Sequence, residues 1–134
     1  MTWFQDILQN HGRVAIAGGP KTGKTTLTIG VTDRLVHHGD DWIYLGWSES
    51  SEHIAVAVNN NNYPVVVEGV QVPRALRKGM RVNCVIWLSI PHMALTENQQ
   101  AMTNGCGTVM REWLGGREMT PIDGVPGAAL LVLT

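Results

Sequence analysis

Charge is scarce in this sequence. Asp, Glu, Lys and Arg make up 16% of the residues, and ten basic against eleven acidic side chains leave a formal net charge of −1. Such a balance excludes a global attraction to nucleic acid or to an anionic membrane, so any attraction of that kind must be local. Apolar runs fall far short of the ~20 residues that a membrane-spanning helix requires. No basic stretch followed by an apolar one opens the chain, so a soluble protein without a membrane partner is expected. Cysteine is nearly absent. Cys84 and Cys106 match no zinc or redox spacing, and without a signal peptide they fit a reduced, cytoplasmic protein. Apart from the four asparagines at 59–62, no repeat or low-complexity segment occurs.

What is present suits one globular domain: 134 residues, 44% of them hydrophobic, are enough for a single core and too few for two of ordinary size. "TWFQDILQNHG" puts Trp3, Phe4, Ile7 and Leu8 on one helical face, with Gly12 as a stop. Residues 1–12 therefore read as an amphipathic helix docked on a body of residues 13–134. "RVAIAGG" reads as a buried strand, and Leu27, Val31 and Leu35 support a helix starting near Lys24. Its end has two readings: it runs to His38 with Gly39 as cap, or it stops near Asp33 and "RLVHH" becomes a second strand, which is favoured. His37 and His38 then read as strand residues with no metal role.

Further along, "SESSEHIAVAV" predicts a helix capped by its serines, with Glu49 and Glu52 in the first turn. "YPVVVEG" and "RVNCVIWLSI" read as strands three and four, separated by the helix "PRALRK" that Pro73 opens and Gly79 closes. Thr96 and Gln99 predict a capping box for a helix to about Thr103, with "TVMREWL" as a further helical piece. A Gly/Pro-rich loop, 117–127, then precedes a last strand, "AALLVL". Alternating strands and helices predict a three-layer α/β/α domain with a mainly parallel sheet.

One stretch stands apart from this framework. "GGPKTGKTT", residues 18–26, fits the pattern G-x-x-x-x-G-K-[ST] of a phosphate-binding loop between a strand and a helix. Glycines at 18, 19 and 23 let the main chain of Pro20, Lys21 and Thr22 curl, so that its N–H groups point at phosphate oxygens, and the following helix adds its positive end. Lys24 would reach the β and γ phosphates of a nucleoside triphosphate, Thr25 would ligate Mg²⁺, and Thr26 completes the cradle.

Together with "HHGDDWIYLGWSES", "VVVEGVQVPRALRKG" and "CVIWLSIP", this loop resembles the small P-loop kinases, and most closely the phage-type nucleotide and polynucleotide kinase-like NTPases. The resemblance runs from Arg13 to about Thr134. It implies a five-stranded sheet in the order 2-3-1-4-5, with ATP or another NTP and Mg²⁺ as cofactors. It also implies the host cytoplasm if the chain is viral.

In such kinases an acid after the second strand takes or orients the proton of the acceptor hydroxyl, a place that Asp40 and Asp41 fill here; the same pair also reads as a solvated acidic turn. Glu68, ending an all-apolar strand, would face Mg²⁺; its other reading is an edge glutamate reaching solvent. Arg74, Arg77 and Lys78 belong to a window of four basic residues in eight. They would clamp an acceptor phosphate, or simply form a solvated face. Arg111 and Arg117 lie where lid arginines are expected, without the lid pattern. Fuller members continue past the last strand into a segment that helps hold the base, so a homo-oligomeric neighbour could complete that pocket. The expected activity is transfer of a γ phosphate to a nucleotide, a nucleoside or a nucleic-acid 5′ end. The rival expectation is an NTPase coupled to nucleic-acid or protein binding.

Overall fold

The structure is a computed structural model that describes residues 2–133; Met1 and Thr134, the outer ends of the two segments predicted above, lie outside it. Helix α1 (Trp3–Asn10) starts at a reciprocal cap: Thr2 Oγ1 accepts from Gln5 N–H at 3.1 Å, and Gln5 Oε1 accepts from Thr2 N–H at 3.0 Å. Its buried face is Phe4, Ile7 and Leu8. Strand β1 (Arg13–Gly18) follows, buried from Val14 onward.

Helix α2 (Lys24–Thr28) is a single short turn and stops well before Asp33. Thr25, Thr26, Thr28, Ile29 and Val31 are β-branched, and Gly30 adopts φ +85°, a combination that favours extended chain over helix. The chain then enters β2 (Leu35–His38) and a 3₁₀ turn over Gly39–Leu45. Helix α3 (Trp47–Asn59) begins after Gly46 and has no side-chain cap. The serines expected to cap it lie inside, where Ser51 Oγ donates back to the carbonyls of Trp47 (2.7 Å) and Ser48 (2.9 Å).

Strand β3 (Val65–Gly69), helix α4 (Val72–Arg77) and strand β4 (Cys84–Leu88) come next. Helix α5 (Glu97–Leu114) is one piece where two were expected. Gly105 and Gly107 cost it helix propensity; a Cβ on Gly107 would lie 3.3 Å from the Arg111 guanidinium, and one on Gly105 would make ordinary contact with Arg74 at 3.5 Å.

The general α/β class holds, but the five-stranded sheet in the order 2-3-1-4-5 does not. Among the described residues six strands run β2-β3-β1-β4-β6-β5, with β6 (Ala128–Val132) antiparallel to both β4 and β5 (Thr120–Pro121). The reason lies in the loop after α5. Beyond that helix β5 runs at the sheet edge in the same direction as β4. A hairpin with positive φ at Gly124 and Gly127 then sends β6 down beside β4, pairing Ala128 with Leu88. The two-residue strand was hidden in what reads as a linker.

Alternation along the central strands sorts the core into two faces. Ala15, Ala17, Val65, Val67 and Val85 pack under α3, α4 and α5, whereas Val14, Ile16, Val66, Cys84 and Ile86 pack under α1, with Leu27 of α2 against them. Among the described residues, no helix is long and apolar enough to cross a membrane.

Candidate functional site

At the C-terminal end of β1 the chain passes closely between its neighbours. A Cβ on Gly18 would lie 2.5 Å from the Leu88 carbonyl oxygen and 2.8 Å from Thr22 Oγ1, and one on Gly19 would lie 2.6 Å from Thr103 Oγ1 of α5. Only glycine fits at either place. The loop then takes two left-handed residues, Lys21 at φ 61° and Gly23 at φ 94°. Main-chain N–H groups in such a run converge on one concavity. Among the described residues, none of the N–H groups of residues 21–26 donates to a protein acceptor. The Lys21 carbonyl, by contrast, is held from outside by His92, whose N–H donates to it at 2.8 Å and whose Nδ1 also touches it.

Lys24 is only 8% exposed, and its ammonium turns back on its own loop, donating to Gly19 O at 2.6 Å and to Thr22 Oγ1 at 3.4 Å. Burial pushes its pKa below the ordinary 10.5, partly offset by Glu68 and, further down, by Cys106 and Asp40. Beside it, Thr25 Oγ1 donates to Glu68 Oε2 at 2.7 Å, and His38 Nδ1 lies 3.2 Å from the same oxygen. Glu68 is 1% exposed and stands opposite His38 in the β2–β3 register.

Lys24, Thr25 and Glu68 line a cavity of about 310 Å³ to which Asp40, His92, Val70 and Met102 also contribute. Asp40 is exposed and follows Gly39, which Gln71 ties to the end of β3. The buried Gln71 amide donates to Gly39 O at 2.8 Å, and its side chain fills the space a Cβ would need on Gly39 or Gly69. Cys106, buried near Lys24 and Arg74, has its thiol pushed up to about 11 by desolvation.

The structure gathers part of the expected set. Pro20, Lys21, Gly23, Lys24, Thr25, Thr26, Asp40 and Glu68 line the cavity, with Gly18, Gly19 and Thr22 packed behind them. Asp41 is exposed and outside it. Arg74 stacks over Trp47 at 4.9 Å, half-buried and close to Cys106, but does not line the cavity. Arg77 pairs with Glu112 at 3.0 Å, and Lys78 donates to Ser48 O at 2.6 Å. Arg111 bonds Thr108 Oγ1 at 3.3 Å, and Arg117 closes the C-terminus of α5 through Trp113 O and Leu114 O. All four face other parts of the surface.

Sequence reasoning missed His38, His92, Gln71 and Met102. For His38 a signal existed, since β-strand alternation puts it on the side of Val36 and opposite Glu68. The others arrive from distant loops and helices with no local pattern. The single turn of α2 also shifts the electrostatic source: five residues carry little macrodipole, so the loop amides and Lys24 supply the positive potential.

Among the described residues no cluster of three or more His, Cys, Asp and Glu could hold a metal by itself. The Thr25 hydroxyl and the Glu68 carboxylate fit Mg²⁺ of the kind that keeps most of its waters and takes phosphate oxygens besides one or two protein ligands. No family model matches the chain, and no curated protein or solved structure matches it.

Proposed function

We propose that the cavity beside residues 18–26 binds the polyphosphate of a nucleoside triphosphate with Mg²⁺, and that the protein is a phosphotransferase of the P-loop kinase kind. The observation that carries this reading is the Thr25–Glu68 hydrogen bond at 2.7 Å, made beside a buried lysine with only loop oxygens for partners and a ring of unclaimed amides. Buried charges are seldom left so weakly paired, and a phosphate oxygen satisfies lysine and amides together.

In this arrangement Lys24 and the amides of the loop bind the β and γ phosphates. Thr25 and Glu68 would hold Mg²⁺, which would supply charge neutralisation at those oxygens. An acceptor hydroxyl at the cavity mouth attacks the γ phosphorus, the bond to the β–γ bridging oxygen breaks, and Asp40 takes the hydroxyl proton. The acceptor is a nucleotide, a nucleoside or a nucleic-acid 5′ end.

A second reading, an NTPase whose hydrolysis drives binding of nucleic acid or protein, is favoured by one observation. Arg77 and Lys78, the residues expected to clamp an acceptor phosphate, are engaged away from the cavity. Transfer from ATP labelled in its γ phosphate to nucleosides, nucleotides and 5′-hydroxyl oligonucleotides tests both. For the kinase, Asp40→Asn lowers transfer by about 10²- to 10⁴-fold while residual hydrolysis survives. Hydrolysis without any acceptor, unchanged in Asp40→Asn, supports the NTPase. Phosphate release no faster than that of Lys24→Ala removes both.

A further inference from the structure

A polyphosphate in the cradle has a direction. Thr25 bonds Glu68 at 2.7 Å, and Lys24 lies within electrostatic reach of Glu68 and Asp40, so the terminal phosphates belong beside these four residues. Thr26, an exposed residue, lines both this cavity and a second one, and so marks the end at which the two adjoin.

The second cavity, about 770 Å³, is a groove between α1 and the extended segment that follows the short helix α2. Its walls are apolar and aromatic: Trp3, Phe4 and Leu8 from α1, with Leu27, Ile29 and Val31 opposite. Trp3 is half-buried with its ring edge-on to Phe4, and Ile29 is 77% exposed, an unusual state for a large aliphatic side chain beside a groove. Polar residues also line it, among them Gln9, Thr32 and Asp33.

We infer that this groove is the nucleoside subsite, with the base of the bound triphosphate lying between Trp3 and Ile29 and its α phosphate passing Thr26. The inference rests on the triphosphate reading above. Continuity through Thr26 identifies the occupant: the only group that must leave the phosphate cradle at that end is the sugar and base, and a flat heterocycle is what an aromatic and aliphatic cleft accepts. Helix α1, which the resemblance left outside the domain, then becomes part of the binding site.

Calorimetric titration of ATP and of inorganic tripolyphosphate, both with Mg²⁺, into the unaltered protein, Trp3→Ala and Ile29→Ser tests this. Ile29 is too exposed for its replacement to disturb the core, so the second variant remains informative if Trp3→Ala folds poorly. The unaltered protein should bind ATP about tenfold or more tightly than tripolyphosphate, as stacking on one aromatic ring typically gives. Each variant should lose most of that ratio while its tripolyphosphate affinity stays constant. Tripolyphosphate binding with no ATP advantage overturns the subsite alone. So does an ATP advantage that neither variant reduces, or a change in oligomeric state without a change in the ratio. Binding of neither ligand overturns the phosphate cradle, and the subsite with it.

Discussion

The two faces of the sheet are covered unequally. Three helices, α3, α4 and α5, close one face, where Ile54, Val58, Val72 and Val67 are at most 1% exposed. The other is closed by the eight residues of α1, by the single turn of α2 and by the C-terminal hairpin, with Phe4, Ile7 and Leu8 at 5–9% exposed. Alternation assigns Glu68 and His38 to this thin face, on the side of Val66 and Val36, and Thr25 reaches Glu68 from α2. Lys24 and Glu68, both buried charged residues, lie where the cover ends. The thin cover leaves the groove beside α1, and Lys24, Thr25 and Glu68 of this side line the smaller cavity.

Truncating one buried side chain on each face tests this difference most strongly. Ile54→Ala should cost about 3–5 kcal/mol in urea unfolding and Leu8→Ala about 2, because the surroundings of Leu8 are freer to collapse into the space. Equal losses would mean that the faces are equally well packed.

A smaller effect should come from the arginines that tie each face's helix to the sheet. Arg13 donates to Asn61 O at 2.6 Å and contacts Val58 O at the end of α3, while the buried Arg34 donates to Leu8 O and His11 O, both at 2.8 Å, at the end of α1. Arg34→Ala should destabilise the protein by about 1–3 kcal/mol through the carbonyls left without a partner. Hydrogen exchange should localise the loosening to α1. In Arg13→Ala, the independent packing of α3 should keep that helix protected.

The smallest effect is electrostatic. Lys24 holds its proton less tightly when folded than when unfolded, so its burial costs stability at pH values below its folded pKa. The cost shrinks as pH rises from there toward the unfolded value of 10.5. Urea midpoints of the unaltered protein, compared with Lys24→Met, should therefore converge as pH is raised toward that value. Saturating tripolyphosphate should remove the pH dependence by giving the ammonium a partner. A constant gap between the two proteins would show that Lys24 is not strained by burial.

Much of the local structure was legible. The apolar face of α1, the box at Thr96 and Gln99, the all-apolar strands β1 and β3, and the positive-φ turn at Gly79 each depend on residues within a few positions of one another. The loop at 18–25 was legible for the same reason. Its glycines answer to close approaches and left-handed angles that few other residues tolerate. What could not be read were pairings between distant segments: Gln71 beneath Gly39, His92 on the Lys21 carbonyl, Arg77 turned to Glu112, and a two-residue strand inside a Gly/Pro loop.

By itself, then, the sequence determined the α/β alternation, the apolar strands and the glycine spacing around Lys24, because steric rules and short-range hydrogen bonds act within a few residues. Tertiary structure decided the antiparallel edge, which basic residues face the cavity, and the groove shared by α1 and Ile29. Those outcomes depend on which surfaces meet when helices of unequal length cover the two sides of one sheet, and no local pattern encodes that geometry.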